Sequence, residues 1–342
     1  MAVKTMRASL SKIPFLTIEQ IKKEPDSGAG KPDFLVKLAL PEGERYLVVE
    51  VKTSGQPRLA REAVNQLVRY RDVYPNAYAV FMAPYISPRA AEICKKEDIG
   101  YIDLAGNCRL SFGQVYIEQE GNPNPLGEKR DLRSLYSPKA ERVLRVLLNN
   151  EKRAWKMAEL ADEAKISLGQ VSNVKKLLLD REWIQTDKRG LVLSEPEQLL
   201  REWSENYSFK KSTVRDYYSL GRVGEIESDL AESCRREGYK YALTAFSAAA
   251  MVAPAVRYQR AMAYMAEIQE DLMSELGLKR VTTGANLSLV IPYDEGVFYG
   301  VREIDGIRMA SPIQVYLDLR GFRGRGEEAA QVLLDQVIRS SW

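Results

Sequence analysis

The chain of 342 residues contains no histidine. That absence removes serine–histidine and cysteine–histidine nucleophile pairs and every metal site that needs an imidazole. A general base here has to be a carboxylate, a lysine, a tyrosine or a metal-activated water. A metal site has to be built from oxygen, which favours Mg²⁺ or Mn²⁺ over zinc. Cysteine is nearly as scarce: Cys94, Cys108 and Cys234 are too few and too scattered for a disulfide framework or a thiolate zinc site, so a reducing, cytoplasmic setting is expected. Long apolar runs are lacking as well. None approaches the roughly 20 residues a bilayer demands, and the opening MAVKTMRASLSKIPF has no long apolar stretch with a cleavage site, so neither a membrane span nor a secretory signal is expected. There is no internal repeat and no low-complexity tract. Nor is there an excess of either charge: 50 Lys+Arg stand against 47 Asp+Glu, a net of +3, so the distribution of charge matters more than its total.

What is present is length enough for two or three domains at roughly 100–150 residues each. Residues 1–120 open with a helical stretch and then alternate strand-like runs (Asp33–Leu40, Tyr46–Thr53, Ala77–Pro84, Gly100–Leu104, Val115–Gln119) with helix-like ones (Arg58–Val73, Pro88–Glu97), which predicts an α/β domain. Gly, Asn and Pro in quick succession at Gly121–Gly127 predict a linker over 121–136. Residues 137–193 predict three helices, Pro138–Leu148, Lys156–Ala164 and Leu168–Arg181, and then two short β-prone runs around the charged turn Asp187–Gly190. Residues 194–342 read as an α+β domain dominated by helix. Tyr239–Ala250 reads as a packed helix, with strands at Asn286–Pro292, Val297–Tyr299 and Ile307–Met309 and a final helix Glu327–Arg339.

The chemistry concentrates in the first block, in Lys31-Pro32-Asp33 and Glu50-Val51-Lys52. Strand alternation in YLVVEVKT projects Glu50 and Lys52 from one face and Val49 and Val51 from the other. Charge on a face that should be covered is costly unless it is paired or binds a cation. If Asp33 begins the neighbouring strand, its carboxylate meets Glu50 and the two make an oxygen-lined site for Mg²⁺ or Mn²⁺. Lys52 would then orient a water or stabilise developing charge. The plain alternative is a solvent-exposed strand that happens to carry a Glu/Lys pair. These residues resemble the PD-(D/E)XK, or restriction-endonuclease-like, nuclease superfamily over about the first 120 residues. The resemblance implies metal-dependent hydrolysis of DNA, with Asp33 and Glu50 on the metal, Lys52 at the nucleophile and Gln66 on the following helix as a further polar residue, flanked by Arg69 and Tyr70. It also implies a carboxylate on a helix before the first strand, for which Glu19 and Glu24 are the candidates. Degenerate members of such a superfamily keep the fold without the catalysis. Gly106-Asn107 predicts a hairpin turn, and Asp103 beside it is expected to be solvated or capping rather than part of the site.

The middle block resembles a winged helix-turn-helix. Val171, Val174, Leu177 and Leu178 give its third helix an inner face, leaving Gln170, Ser172, Asn173, Lys175 and Lys176 outward, where such a helix enters a major groove. Amides at Gln170 and Asn173 suit adenine edges, Lys175 and Lys176 suit phosphate or guanine, and Lys188 and Arg189 in the turn suit the backbone. The block holds 12 Lys/Arg against 8 Asp/Glu, a net of +4 against +3 for the whole chain, so the remainder is slightly acidic. That localisation supports contact with double-stranded DNA, and a protein-contacting or dimerising winged helix is the alternative. Two-fold-symmetric DNA favours a homodimer.

In the third block, Arg320-Gly-Phe-Arg-Gly-Arg-Gly-Glu lacks the Lys-Ser/Thr of a phosphate-binding P-loop, and Glu327-Glu328 argue for a solvated helix start. No Gly-Ser followed by Asp-x-Asp occurs there, so an active nucleotidyltransferase is not expected. The strings YALTAFSAAAMVAP, GANLSLVIPYDEGVFYG and ASPIQVYLDLRGFRGRGEEAAQ resemble the C-terminal region of AbiEi-type antitoxins of type IV toxin–antitoxin systems. That resemblance implies a DNA-binding transcriptional autoregulator partnered with a nucleotidyltransferase-like toxin, and the extra domain in front departs from it. Two functions follow from the sequence: a Mg²⁺-dependent deoxyribonuclease guided by its winged helix, and a non-catalytic regulator of the antitoxin type.

Overall fold

The computed structural model describes residues 2–25, 31–123 and 135–342, the Lys210 side chain excepted. Most of the linker expected over 121–136 lies outside the described residues. The chain forms two compact units, Met1–Arg133 with Leu177–Glu182, and Ser134–Lys176 with Trp183–Trp342.

The first unit is a seven-stranded sheet, β1 (Thr17–Lys23), β2 (Phe34–Leu40), β3 (Gly43–Val51), β4 (Ala77–Ala83), β5 (Gly100–Asp103), β6 (Cys108–Phe112) and β7 (Val115–Gln119), arranged in space in the order of the sequence. Its centre, β3-β4-β5, is parallel, and the outer pairs are antiparallel. Parallel strands need crossover helices, and α2 (Pro57–Val73) and α3 (Pro88–Lys96) supply them. Pro57 starts α2 where its missing N–H costs nothing, and Ala60, Ala63, Val64, Leu67 and Tyr70 then fall on one face. That face packs on Val48, Ala79 and Phe81. The other side of the sheet presents Leu47, Val49, Val80 and Ile102 to Met6 and Leu10 of α1 (Ala2–Leu10). β3 therefore separates two cores, and its alternation decides which side chains enter which.

The strand Thr17–Lys23 was not expected. Ile18 and Ile21 stand three apart, a helical spacing, yet both pack against the α1-side core. A register shift between Ile18 and Gln20 in the pairing with β2 reconciles the two, because a bulge turns an odd spacing back to one face. Gly55, just after β3, bridges to Ile86; a Cβ there would lie 2.1 Å from the Tyr85 carbonyl oxygen, so only glycine allows this approach.

The helices Pro138–Asn149, Met157–Ala164 and Leu168–Asp180, the last with its final residues from Leu177 on counted in the first unit, are followed by a two-stranded hairpin of the second unit, β8 (Ile184–Asp187) and β9 (Gly190–Leu193). The rest holds more residues in helix than in strand, as expected, but is built on a sheet. It holds a second seven-stranded sheet, ordered β13-β10-β14-β12-β11-β16-β15, with β10 (Thr213–Tyr218), β11 (Tyr241–Leu243), β12 (Ala261–Met265), β13 (Lys279–Arg280), β14 (Leu287–Ile291), β15 (Arg302–Ile304) and β16 (Ile307–Met309). The stretch Tyr239–Ala250 is not one helix: β11 ends at Leu243, and Ala245, at φ 47°, turns the chain into the helix Ala245–Val252. Val297–Tyr299 is not a strand, since Glu295–Phe298 closes as a short 3₁₀ turn capped by Asp294.

Polar side chains are buried at the heart of this unit. Asp318 accepts hydrogen bonds from Thr244 Oγ1 (2.5 Å), Tyr264 (2.8 Å), Tyr207 (2.9 Å) and Gln314 Nε2 (3.0 Å). The fully buried Arg145 donates to Gln314 Oε1 at 2.9 and 2.7 Å, lies 3.5 Å from Glu141 and sits over the Trp203 ring. Burial pushes the Asp318 carboxyl up to about 6 despite its four donors. An unfolded aspartate titrates near ~3.9, so between those values the native state holds the extra proton. Stability from Asp318 is thus fully present below about pH 4 and is lost as pH rises towards 6. In urea unfolding across that window, wild type is expected to lose on the order of 2 kcal/mol relative to Asp318→Asn; a pH-independent difference between the two would show that Asp318 does not titrate this way.

Candidate functional site

The alternation of β3 turns Glu50 and Lys52 to the α2 side of the sheet, the face that Val48 occupies in the core. Asp33 lies just before β2, which pairs with β3 from Phe34↔Val49 onward. Ahead of the first β2 residue, the Asp33 carboxylate replaces the missing ladder partner: its Oδ2 accepts the Val51 N–H at 2.6 Å. Glu50 is only 6% exposed, and its Oε1 accepts from Lys52 Nζ at 2.9 Å. The same ammonium donates to Gln66 Oε1 of α2 at 2.6 Å and lies 3.4 Å from Glu62. Asp33, Glu50, Lys52 and Gln66 are thus drawn together by two strands and one helix.

The electrostatics follow from burial. Desolvation raises the Glu50 carboxyl above its usual range, partly offset by the Lys52 hydrogen bond and charge, and Asp33 adds repulsion. For Lys52, burial pulls the ammonium down, but the Glu50 hydrogen bond and the Glu50 and Glu62 charges outweigh it and leave its pKa raised. Lys52 therefore remains an ammonium, suited to stabilise negative charge and unsuited to act as a base. Tyr70 is lifted by burial and then by the charges of Glu50 and Asp33, which puts its hydroxyl within their influence.

One oxygen stands apart. Glu50 Oε2 is buried and has no hydrogen-bond partner among the described residues. A buried carboxylate oxygen left bare is costly, and a hard cation is a fitting partner for it. Among the described residues no three His, Cys, Asp or Glu side chains cluster to hold a metal ion. Two carboxylates nevertheless match the habit of Mg²⁺, which is bound through one or two of them and completes its shell with water and substrate phosphate.

Other expectations need correction. Glu19 is not on a helix: it lies on the edge strand β1 and pairs with Lys37 at 3.0 Å. Glu24 follows that strand, exposed, with its partner at Lys23. Neither supplies the extra carboxylate. Glu62, one helical turn before Gln66, is the acidic residue that α2 does bring to Lys52; its i,i+4 spacing from Gln66 was the available signal. Arg69 is exposed and bonds back to the Asn65 carbonyl. Asp103 is capping, as expected, but fully buried rather than solvated: it accepts from Ile86 N, Asn107 N and Asn107 Nδ2 and fixes the hairpin between β5 and β6.

On the helix Leu168–Asp180, Gln170, Ser172, Asn173 and Lys176 are exposed, and Lys175 is half-buried. Gln170 is partly occupied, its Oε1 accepting from Ser167 N at 3.4 Å at the helix start. In the hairpin turn Arg189 is held by Asp187 through two hydrogen bonds at 2.8 and 3.0 Å, whereas Lys188 forms no hydrogen bond or ion pair among the described residues. Part of the block's positive charge also faces inward. Arg142 forms a two-pronged pair with Asp294 at 2.8 and 3.0 Å, and Arg145 is buried. The net of +4 therefore overstates the cationic surface available to a phosphate backbone.

The first unit is a mixed α/β sheet domain carrying an Asp–Glu–Lys constellation at one strand end. Residues 192–339, within the second unit, match the family described as Transcriptional regulator, AbiEi antitoxin, Type IV TA system. Two solved structures are similar to 30% of the chain: a repair endonuclease from Pyrococcus abyssi (16% identity, TM-score 0.23) and EndoMS in a dsDNA complex (17% identity, TM-score 0.23). The chain covers 47% and 44% of them, about half their length. At that similarity the chemistry of the site rests on its own geometry. No curated protein matches the chain significantly. No helix among the described residues is long and apolar enough to cross a membrane.

Because Asp33 supports the backbone of β3, its two roles separate by substitution. Asp33→Ala strands the Val51 N–H and is expected to cost roughly 1–3 kcal/mol in urea unfolding, whereas Asp33→Asn keeps an acceptor and costs less than about 1 kcal/mol. Equal losses for both variants would remove this structural role.

Proposed function

We propose that the protein binds double-stranded DNA and hydrolyses its phosphodiester bonds with a divalent cation, using its restriction-endonuclease-like N-terminal domain. The observation that carries this reading is the buried, partnerless Glu50 Oε2 set among Asp33, Lys52 and Gln66. Asp33 and Glu50 would hold Mg²⁺ or Mn²⁺, which when bound supplies Lewis-acid stabilisation of charge on the phosphate. The chain's own groups do the rest. Lys52, kept as an ammonium, stabilises negative charge at the scissile group. Gln66 holds that ammonium from α2, and Asp33 holds the Val51 backbone between Glu50 and Lys52. The segment 137–193, read as a winged helix-turn-helix, presents Ser172, Asn173, Lys175 and Lys176 to a groove and Lys188 to the backbone. Gln170 and Arg189 would first have to exchange their internal partners.

The match of residues 192–339 to an antitoxin regulator family favours a second reading, a non-catalytic cytoplasmic autoregulator with a nucleotidyltransferase-like toxin as partner and a homodimer on symmetric DNA. Cleavage assays separate the two. With Mg²⁺ or Mn²⁺ and plasmid or linear duplex, the first reading expects cleavage that EDTA abolishes and that Lys52→Ala or Glu50→Gln lowers at least about 100-fold. Cleavage that survives both substitutions, or none on any duplex tested, sinks it. Under either reading, combined Lys175→Glu, Lys176→Glu and Lys188→Glu is expected to weaken duplex binding and flatten its salt dependence by roughly 0.9 in log–log slope per lost phosphate contact. An unchanged slope would show that these lysines do not meet the backbone.

A further inference from the structure

The second unit contains a cavity of about 820 Å³ that neither reading above uses. Its size is that of a small-molecule site, in the range of roughly 300–1,000 Å³. One wall is aromatic. Phe209 and Phe322 stack with ring centres 5.6 Å apart and planes 26° apart, and Phe246 leans on Phe322 at 5.3 Å. All three rings remain only partly buried.

The glycines of Arg320-Gly-Phe-Arg-Gly-Arg-Gly build this wall. A Cβ at Gly321 would meet the Phe209 ring at 2.7 Å, and one at Gly326 would lie 2.3 Å from the Leu319 carbonyl oxygen and 2.6 Å from Phe322 Cβ. The tight turn they permit places Phe322 on the wall and Arg325 on the lining, while Glu327 and Glu328 do not line the cavity.

The charge of the lining is unbalanced. Asp216 is matched by Ser288, which donates to it at 2.6 Å, and by Arg260 at 3.9 Å, and Arg260 also donates to the Ala285 carbonyl. Arg257 and Arg325 line the same space, exposed, with no hydrogen bond or ion pair among the described residues. Two unmatched guanidinium groups call for an anion carrying several oxygens, and the half-open aromatic wall calls for a flat ring to cover it. A bare phosphate would leave the wall uncovered, and an uncharged heterocycle would leave the arginines unmatched.

We propose that this cavity is a nucleoside phosphate site, with the base stacked against Phe322 and the phosphates held by Arg257 and Arg325. The proposal stands independently of DNA hydrolysis, since none of these residues belongs to the Asp33–Glu50–Lys52 site.

Calorimetric titration of the full chain with ATP, GTP, CTP and UTP, and with adenosine and inorganic pyrophosphate, tests it. At least one triphosphate is expected to bind saturably, and the adenosine and pyrophosphate arms at least about tenfold more weakly. Combined Arg257→Gln and Arg325→Gln should weaken the triphosphate about tenfold or more, and Phe322→Leu several-fold. Both arginines are exposed, so the double variant should unfold at the wild-type temperature, which a thermal melt checks. The proposal is overturned if no triphosphate binds at millimolar concentration, if pyrophosphate binds as tightly as any triphosphate, or if the arginine variant binds unchanged. Binding of oligo(dT) without binding of any mononucleotide would likewise overturn it, in favour of a single-strand groove.

Discussion

Keeping the Glu50 carboxylate out of water is the constraint around which the first unit's site is arranged. Glu50 sits where alternation along β3 demands a core side chain, between the sheet and α2, and that position exacts a solvation cost unless charge is returned to it. Lys52 returns some of it from the same strand, and Gln66 and Glu62 hold Lys52 in turn from the helix. Asp33 adds a second carboxylate while closing the end of the β2–β3 ladder. Structural and chemical roles share the same atoms here. The unmet valence of Glu50 Oε2 is a place where a ligand has something to gain.

The second unit meets the same cost in the opposite way. Arg145, Glu141, Gln314, Tyr207, Tyr264 and Asp318 form a buried polar network in which most members are matched by another protein group. The helix Pro138–Asn149 contributes Glu141, Arg142 and Arg145, whose partners Tyr293, Asp294 and Gln314 lie more than 150 residues further on. The middle block therefore shares its interior with the region that matches the antitoxin family. Buried networks of this kind reward correct geometry and penalise any loss of a partner, so the orientation of these helices on the sheet is tightly specified.

Strands and helices with a clear period were legible: β3, β4, α2 and α3 follow from alternation or helical spacing, because both sides of that sheet are covered and each residue's face is fixed by backbone geometry. The edge strand β1 was not, because its bulge disguises strand spacing as helical spacing. The break at Thr244-Ala245 was hidden in an apolar run that suits either state, and pairing with β12 decided it. Charge counting misled for a related reason. Composition places Arg142 and Arg145 in a basic block but carries no information on which cations turn inward.

By itself the sequence determined what chemistry is open to this protein. Without histidine and with three scattered cysteines, a general base must be a carboxylate, a lysine, a tyrosine or a metal-activated water and a metal site must be lined with oxygen, and the two-residue period of a strand was enough to put Glu50 and Lys52 on one face. Only the tertiary structure decided which groups meet them. Gln66 and Glu62 reach Lys52, Glu19 is carried to the sheet edge, and Phe209, Phe246 and Phe322 converge from distant segments on one cavity. The physical reason is range: backbone period fixes neighbours within an element, whereas contacts between elements depend on how whole faces pack, and packing is set by the sum of the buried surface rather than by any one residue.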